Sequence, residues 1–335
     1  MGQQVASLCE AYKDYFPIGA AVSYRSIRTH QDLLLRHFCS LTPSNEMKFS
    51  SVHPAEDSYQ FFFADSIVDF AKSNGMLVRG HTLIWHQQTP EWVFIGPDGG
   101  PASRELLLAR MKEHIEAVVS RYRGKVYCWD VVNEAVSDKG PEYLRPSKWL
   151  QIIGPDYIEK AFEYAHAADP DALLFYNDYN EIARPKRERI VQLVTELRQR
   201  GIPIYGVGLQ GHWNIYRPTL DEIREALDEY AGLGLTLQIT ELDMSVFASG
   251  DDRTDLVEPT SEMMALQAER YEKLFELFRE YRGVISGVTL WGIADDDTWL
   301  HNFPVKGRRD WPLLFDSRHR PKQSFYRIVD FQATS

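Results

Sequence analysis

The sequence predicts an α/β protein, a single (β/α)8 TIM barrel that occupies residues 1–335 as one domain. Two observations carry the prediction: eight short apolar runs, and longer stretches between them in which apolar residues recur with helical spacing. A length of 335 residues suits one barrel with enlarged loops. No Ser-, Gly- or Pro-rich linker divides the chain.

Each apolar run is nearly continuous, which is typical of parallel strands that are covered on both faces. An open doubly wound sheet would favour a Gly-rich turn after the first strand, and Gly19-Ala-Ala-Val-Ser-Tyr is not one. Closure into a barrel is therefore favoured. The predicted strands are Phe16–Val22, Phe38–Thr42, Leu77–Trp85, Val126–Val132, Leu173–Tyr179, Tyr205–Gln210, Leu235–Thr240 and Ile285–Trp291.

The stretches between the runs predict amphipathic helices. In Arg104–Tyr122, apolar residues recur at steps of three and four and so share one face. Thr219 and Glu222 form a T-x-x-E capping box, which predicts a helix start there. Lys186–Arg200 and Ser261–Tyr281 show the same helical pattern.

Charge and cysteine content limit the partners and the compartment. A net charge of −11 repels a phosphate backbone, so no nucleic acid partner is expected. Three scattered cysteines favour a reducing compartment, and the first residues lack the basic and apolar regions of a signal peptide. No apolar run approaches the ~18 residues of a membrane span. We expect a cytoplasmic protein without membrane contact, and the oligomeric state stays open.

Polar and aromatic side chains follow the predicted strands, at the barrel end where chemistry collects. Two glutamates among them, Glu134 and Glu241, follow the fourth and seventh strands. The others in this ring are Asn45, Glu46, Lys48, His81, Trp85, His86, Asn133, Asn177, Asp178, Gln210, His212, Asp243 and Trp291.

A pair of carboxyl groups facing one mouth is the minimum apparatus for glycoside hydrolysis. One carboxyl holds a proton for the leaving oxygen, and the other is ionised and faces the anomeric carbon. Strands four and seven lie across the barrel, so their carboxyls are expected within the ~5.5 Å of a retaining mechanism. Which glutamate takes which role does not follow from the residues alone.

Seven segments, in order along the chain, resemble glycoside hydrolase family 10, the xylanase family. Trp129-Asp-Val-Val-Asn-Glu134 and Ile239-Thr-Glu-Leu-Asp243 resemble its two catalytic signatures. The other matching segments are Thr42-Pro-Ser-Asn-Glu-Met-Lys48, Gly80-His-Thr-Leu-Ile-Trp-His86, Tyr176-Asn-Asp-Tyr-Asn180, Gly208-Leu-Gln-Gly-His212, and Trp291-Gly with Asp295 and Trp299.

The resemblance implies an endo-1,4-β-xylanase with Glu134 as acid/base and Glu241 as nucleophile. It implies that Asn133 bonds the sugar 2-hydroxyl, that Gln210 lies near Glu134, and that His212, steadied by Asp243, orients Glu241. His86 is expected to support the site from behind. The further sugar contacts that it implies are Asn45, Glu46, Lys48, His81, Trp85, Gln88, Trp291 and Trp299.

Trp299 is expected to cover the sugar where a pentose has no hydroxymethyl arm, which favours xylose over glucose. The sequence departs from the family just there, because the family's Ser-Trp-Arg is Thr298-Trp-Leu300. The missing arginine puts the loop around Trp299 in doubt, and it leaves the catalytic pair untouched.

Other interpretations were weighed on the same residues. His81 and His86 do not share a face and lack further ligands, and Asp295–Asp297 lacks the spacing of a calcium loop, so no metal and no cofactor are expected. Trp149 and Trp311 are expected in the core. Competing functions are a β-1,4-glucanase or mixed-specificity hydrolase, an inactive carbohydrate-binding barrel, and a metal-dependent lyase or isomerase.

The expected substrates are xylo-oligosaccharides or soluble xylan. No signal peptide and no carbohydrate-binding module are apparent in the sequence. We therefore expect an enzyme that trims imported xylo-oligosaccharides instead of attacking insoluble xylan.

Overall fold

A computed structural model describes residues 6–331, so residues 1–5 and 332–335 of the expected single domain lie outside the described part. Parallel strands pair in the order β1-β2-β3-β4-β5-β6-β8-β9. Pairing of β1 with β9 closes this sheet into an eight-stranded barrel, and a short ninth strand, β7, adds to β8. The strands are β1 Ile18–Val22, β2 Ser40–Pro43, β3 Leu77–Trp85, β4 Cys128–Asn133, β5 Leu173–Asp178, β6 Gly206–Leu209, β7 His212–Asn214, β8 Thr236–Ser245 and β9 Ile285–Leu290.

Helices surround the barrel, and their apolar faces pack against the strands. Two short 3-10 turns, Glu91–Phe94 and Asp295–Asp297, lie in the loops after β3 and β9. The helices are α1 Leu8–Tyr12, α2 Ser26–Thr29, α3 Gln31–His37, α4 Phe49–Val52, α5 Phe62–Ser73, α6 Arg104–Arg121, α7 Lys148–Ile153, α8 Tyr157–Ala168, α9 Arg184–Gln199, α10 Leu220–Ala231, α11 Ser261–Glu280 and α12 Gln323–Val329. The (β/α)8 fold that the sequence predicts is confirmed.

The helix signals in the sequence correspond to real starts. Thr219 accepts a hydrogen bond from the Glu222 amide, and the Glu222 carboxylate accepts one from the Thr219 amide, so the capping box begins α10 as predicted. The other three predicted helices are α6, α9 and α11, each within two residues of the expected bounds.

The predicted strands differ from the observed ones chiefly in β8. The prediction ends at Thr240, whereas the strand continues to Ser245 and carries Glu241 and Asp243 within it. The reason is β7, which pairs His212 with Asp243 and Asn214 with Ser245 and so extends the hydrogen-bonded ladder. Three residues of mixed polarity gave no strand signal in the sequence. This extension fixes His212 beside the end of β8.

The barrel interior is buried and partly charged. All strand positions of β1, β2, β4 and β6 are buried, and Arg79 forms a fully buried, two-pronged ion pair with Asp130 across β3 and β4. Trp149 and Trp311 are buried, as expected. No helix within residues 6–331 has the length and apolar character needed to cross a membrane.

Candidate active site

A cleft of about 810 Å³ opens at the carboxyl ends of the strands. Most of the predicted site residues line it, whereas Glu46, His86 and Asp243 lie behind the lining. The predicted residues that line it are Asn45, Lys48, His81, Trp85, Gln88, Asn133, Glu134, Gln210, His212, Glu241, Trp291 and Trp299.

Glu134 follows the last residue of β4 in an unusual backbone conformation. Its φ is +57°, in the left-handed region that non-glycine residues seldom adopt. The turn is held by the Glu134 amide, which donates to the Asn177 carbonyl at 2.9 Å. Its carboxylate accepts from Trp85 Nε1 at 2.8 Å and from Gln210 Nε2 at 3.0 Å. Strain at this position points to function, since such conformations cluster at active sites.

Glu241 lies inside β8 and is 5% exposed. Oε1 accepts from Asn177 Nδ2 at 2.8 Å, and Oε2 lies 3.1 Å from His212 Nε2. Burial alone raises the pKa of Glu241, but the hydrogen bond from His212 and the charges of His81 and His212 outweigh it and lower the pKa to about 2. At neutral pH the Glu241 carboxylate is therefore ionised, as a nucleophile requires.

His212 joins Glu241 to a second carboxylate. Its Nδ1 lies 3.0 Å from Asp243 Oδ2, and the two groups form an ion pair when the imidazole is protonated. Burial lowers the pKa of His212, yet Asp243 and Glu241 raise it well above its usual range. The predicted support of Glu241 by His212 and Asp243 corresponds to this geometry.

Asn177 is the residue that sequence reasoning left without a role. Besides Glu241, its Nδ2 donates to Asn133 Oδ1 at 2.9 Å, while its own Oδ1 accepts from Thr240 Oγ1 at 2.7 Å. Gly208 makes room for it on the adjacent strand, because a Cβ there would collide with Asn177 Oδ1. The signal was present in the sequence as Asn177 at a strand end, although its partners depend on strand register.

Asn133 and Gln210 complete a chain of amides between the two glutamates. Gln210 Nε2 lies 3.4 Å from Asn133 Oδ1 as well as bonding Glu134. Asn133 is 3% exposed but lines the cleft. The position of Gln210 beside Glu134 matches the prediction.

His81 and Trp291 form the floor of the cleft. His81 Nδ1 lies 2.8 Å from Asp130 Oδ2, so the buried Arg79–Asp130 pair also orients the His81 ring. Trp291 packs edge-on against His81 with ring centroids 5.4 Å apart. His81, which was predicted to contact sugar, lines the cleft. The sequence did not predict that Arg79 and Asp130 lie beneath it.

One wall of the cleft carries Lys48, Asn45, Trp85 and Gln88. Lys48 Nζ donates to Asn45 Oδ1 at 3.1 Å and lies 4.8 Å from the Trp85 ring centre. Burial lowers the pKa of Lys48, and the carboxylates of Glu241, Glu134 and Glu46 oppose that shift. Gln88 Nε2 reaches Asn45 Oδ1 at 3.4 Å. These groups offer hydrogen bonds to hydroxyls on a bound ligand.

Glu46 and His86 lie outside the cleft lining. The Glu46 carboxylate accepts from the backbone amides of Tyr24 at 2.7 Å and Asn45 at 3.2 Å, so it braces the loop that carries Asn45. The sugar contact implied for Glu46 stays a prediction. His86 packs edge-on against Trp85, with ring centroids 5.8 Å apart, and its pKa is lowered to about 4 by burial and by the charge of Arg145.

Trp299 projects over the cleft with 41% of its surface exposed. Its Nε1 donates to Asp243 Oδ2 at 2.7 Å, and its ring lies 4.7 Å from that of Phe303 and 4.9 Å from that of His212. Leu300, which replaces the family's arginine, is buried. The loop is thus anchored through Trp299 and Phe303, and Phe303 had not been anticipated at the site.

Metal-ligating side chains do not gather in the cleft. Within residues 6–331, the one group of three whose ligand atoms lie within 4.8 Å of one another is His30, Asp296 and His319, and none of the three lines the cleft. The arrangement in the cleft is that of two carboxylates in different surroundings. It can perform acid and nucleophilic catalysis without a metal ligand set.

Residues 7–331 match the family described as glycosyl hydrolase family 10. An endo-1,4-beta-xylanase of Geobacillus stearothermophilus is 56% identical over 331 residues, which cover 98% of this chain and 100% of that protein. Endo-1,4-beta-xylanase B of Paenibacillus barcinonensis is 54% identical, with 98% and 99% covered. The crystal structure of xylanase XynB from Paenibacillus barcinonensis, in complex with a conduramine derivative, has a TM-score of 0.96 at 54% identity and covers 98% of this chain and 99% of that one.

Proposed function

The chain belongs to glycosyl hydrolase family 10 and is a retaining endo-1,4-β-xylanase, and from that premise we propose that Glu134 is its acid/base and Glu241 its nucleophile. The observation that carries the assignment is the difference between the two carboxylates. Glu241 accepts from Asn177 and His212, and its pKa falls to about 2. Glu134 accepts from the neutral donors Trp85 and Gln210.

In the first step, Glu134 donates its proton to the glycosidic oxygen while Glu241 attacks the anomeric carbon. The carbon–oxygen bond of the leaving sugar breaks, and a glycosyl ester with Glu241 forms. The negative charge of Glu241 is consumed in that ester. His212 and Asn177 keep the carboxylate in position throughout, because each holds one of its oxygens.

In the second step, Glu134 takes a proton from water, and the oxygen of that water attacks the anomeric carbon. The ester bond breaks, Glu241 leaves as a carboxylate, and the product keeps the configuration of the substrate. Asn133, held through Asn177, faces the cleft beside both glutamates. Its amide is available to the 2-hydroxyl, a contact that strengthens in the transition state.

We propose that the indole of Trp299 makes the enzyme selective for xylose. The ring is anchored at three points, by Asp243, His212 and Phe303. A rigid ring over the cleft leaves space for a pentose and opposes the extra hydroxymethyl group of glucose. The neighbouring Lys48, Asn45 and Gln88 supply polar contacts to the same sugars.

Soluble xylo-oligosaccharides are the proposed substrates within the xylan class. A concave cleft of about 810 Å³ admits a single chain, whereas insoluble polymer presents chains packed against one another. Comparing the rates of hydrolysis of xylopentaose and of insoluble xylan tests this proposal. A preference for the insoluble polymer would contradict it. Cytoplasmic location stays a prediction that rests on the scattered cysteines, and cell fractionation tests it.

The central experiment is a time course on xylotetraose and cellotetraose, with NMR of the anomeric form of the first product. We expect β-configured products from xylotetraose and their loss in Glu241→Ala. Cleavage of cellotetraose at a comparable rate would contradict the role of Trp299. An α-configured first product would contradict the assigned pair.

A further inference from the structure

Three side chains from distant parts of the sequence converge outside the cleft. His30 lies between α2 and α3, Asp296 lies in the turn after β9, and His319 lies in the loop before α12. His30 Nε2 is 3.1 Å from Asp296 Oδ1, and His319 Nε2 is 3.3 Å from Asp296 Oδ2. The centroids of the two imidazole rings are 4.2 Å apart, and the rings are inclined by 36°. The Nε2 atoms of both rings contact the same carboxylate.

A hydrogen bond behind His30 fixes which of its nitrogens carries a proton. Thr29 Oγ1 lies 2.8 Å from His30 Nδ1 and donates its own hydrogen to the Arg25 carbonyl at 3.4 Å. The hydroxyl is therefore an acceptor towards the ring, and Nδ1 carries the hydrogen. A neutral His30 then presents its Nε2 lone pair to a carboxylate oxygen, and a positive charge between them, either a proton or a metal ion, relieves the repulsion.

The charges around the cluster also favour a cation. Asp296 contributes a carboxylate whose two oxygens each lie beside one histidine nitrogen. Asp297 follows directly and interacts with both Asp296 and His30. Arg25, also near Asp297, is the opposing positive charge.

We propose that His30, Asp296 and His319 bind a divalent transition-metal ion of the zinc type. In a tetrahedral zinc site with bonds of about 2.0–2.2 Å, neighbouring ligand atoms lie roughly 3.3 Å apart. Each histidine nitrogen lies at about that distance from one oxygen of Asp296, 3.1 Å from Oδ1 and 3.3 Å from Oδ2, and one ligand atom from each of the three residues lies within 4.8 Å of the other two. His30 is 4% exposed, whereas His319 and Asp296 are 36% and 37% exposed, so solvent reaches the fourth position.

Thr29 would be the hydrogen-bond partner that orients His30 when His30 binds the metal. Such partners hold the ring and its tautomer, and their loss typically weakens metal binding about 10–100-fold. The ion would also tie together the α2–α3 junction, the turn after β9 and the loop before α12. The turn after β9 continues into Asp297, Thr298 and Trp299, which line the cleft. Binding at the cluster therefore restrains the segment that leads to the indole.

Calorimetric titration of chelator-treated protein with ZnCl2 tests the proposal. We expect about one ion per chain, with binding lost in Asp296→Asn and in His319→Ala. His166→Ala changes a surface histidine of α8 and should leave binding intact. Thr29→Val should weaken binding about 10–100-fold, and Thr29→Ser should restore it. With Co2+ in place of Zn2+, visible d–d bands of a tetrahedral ion should appear in the parent and not in Asp296→Asn.

Two results would overturn the proposal. Zinc binding that persists unchanged in both Asp296→Asn and His319→Ala would assign the ion to the cleft carboxylates or to the thiols. Absence of any saturable binding in the parent, with the circular dichroism of a folded protein, would show that the cluster is an ion pair held by a proton. Thermal unfolding adds a second readout. Zinc at 100 times its Kd should raise the Tm of the parent and of His166→Ala, and it should leave the Tm of Asp296→Asn and of His319→Ala unchanged.

Discussion

The side-chain amide of Asn177 donates a 2.8 Å hydrogen bond to Glu241 Oε1. The amide cannot turn over without loss, because its oxygen accepts from Thr240 Oγ1 at 2.7 Å and a flipped amide would set oxygen against the Glu241 carboxylate. Its second hydrogen goes to Asn133. One amide thus positions both Glu241, the proposed nucleophile, and Asn133, which lines the cleft.

Asn177→Ala is expected to lower kcat/KM on xylotetraose by about 10–100-fold, because a hydrogen bond to a charged group contributes roughly 1.5–3 kcal/mol. The fall should lie mainly in kcat, since Asn177 reaches the sugar only through Glu241 and Asn133. Asn74→Ala, at the exposed end of α5, is the matched control. A change confined to KM would argue against a positioning role.

Replacement of either glutamate should separate the two steps. With an aryl xylobioside, whose leaving group needs no proton, Glu134→Ala should still form the glycosyl ester and then stall, while Glu241→Ala should not form it. Azide should restore turnover in both variants, giving a β-glycosyl azide with Glu134→Ala and an α-glycosyl azide with Glu241→Ala. Product configuration by NMR checks this, and the reverse pairing would exchange the two roles.

The acidic limb of the pH profile should depend on His212. A carboxyl group with a lowered pKa is ionised above that pKa, so Glu241 stays ionised until the pH falls towards about 2. His212→Asn removes the charge of the imidazolium, so the pKa of Glu241 should rise towards its usual value of about 4.3. The acidic limb of kcat/KM should therefore move to higher pH. An unchanged limb, with an overall loss of rate, would separate His212 from the ionisation of Glu241.

Trp299→Ala should raise the rate on cellotetraose relative to xylotetraose by about 10-fold or more, because a steric exclusion worth ~1–3 kcal/mol per methylene is removed. The ratio of kcat/KM on the two substrates measures it. Phe303→Leu, which keeps the indole and alters its neighbour, should shift the ratio less. An unchanged ratio in Trp299→Ala would place the discrimination elsewhere in the cleft.

The buried ion pair under His81 should matter for stability as well as activity. Asp130→Asn leaves the buried charge of Arg79 uncompensated and should lower the free energy of unfolding by about 3–5 kcal/mol. Urea unfolding measures it. Glu280→Gln breaks an ion pair with Arg224 whose partners are 46% and 48% exposed, and it should change stability little. Equal effects of the two substitutions would contradict the role of burial.

Much of this architecture follows from the sequence, since apolar patterning predicted the eight barrel strands and the helices α6, α9 and α11, and the capping box predicted the start of α10. The patterning failed at β7, because His212–Asn214 is only three residues long and of mixed polarity, directly after Gly211 with its positive φ. The length of β8 was missed for the same reason. Local sequence carries no signal for a ladder that depends on a neighbouring strand.

The sequence predicted most of the residues that line the cleft, but it did not predict most of the hydrogen bonds between them. Both glutamates were found because each follows a predicted strand at the same end of the barrel. The part played by Asn177 was hidden, since its contacts depend on the register of β4, β5 and β8. Glu46 was predicted to contact sugar, but its carboxylate accepts hydrogen bonds from two backbone amides. No sequence pattern indicates these two bonds. His30 and Asp296 are 266 residues apart, so their meeting is a property of the closed barrel.

A single oxygen, Asp243 Oδ2, contacts both the imidazole of His212, which lies beside Glu241, and the indole of Trp299, which projects over the cleft. A substitution that removes the indole also deprives that oxygen of a hydrogen-bond donor and removes the ring that packs 4.9 Å from His212. We therefore expect substitutions at position 299 to change substrate range and turnover together. A lineage that acquires glucose tolerance through position 299 is expected to need a second change, one that returns a donor to Asp243.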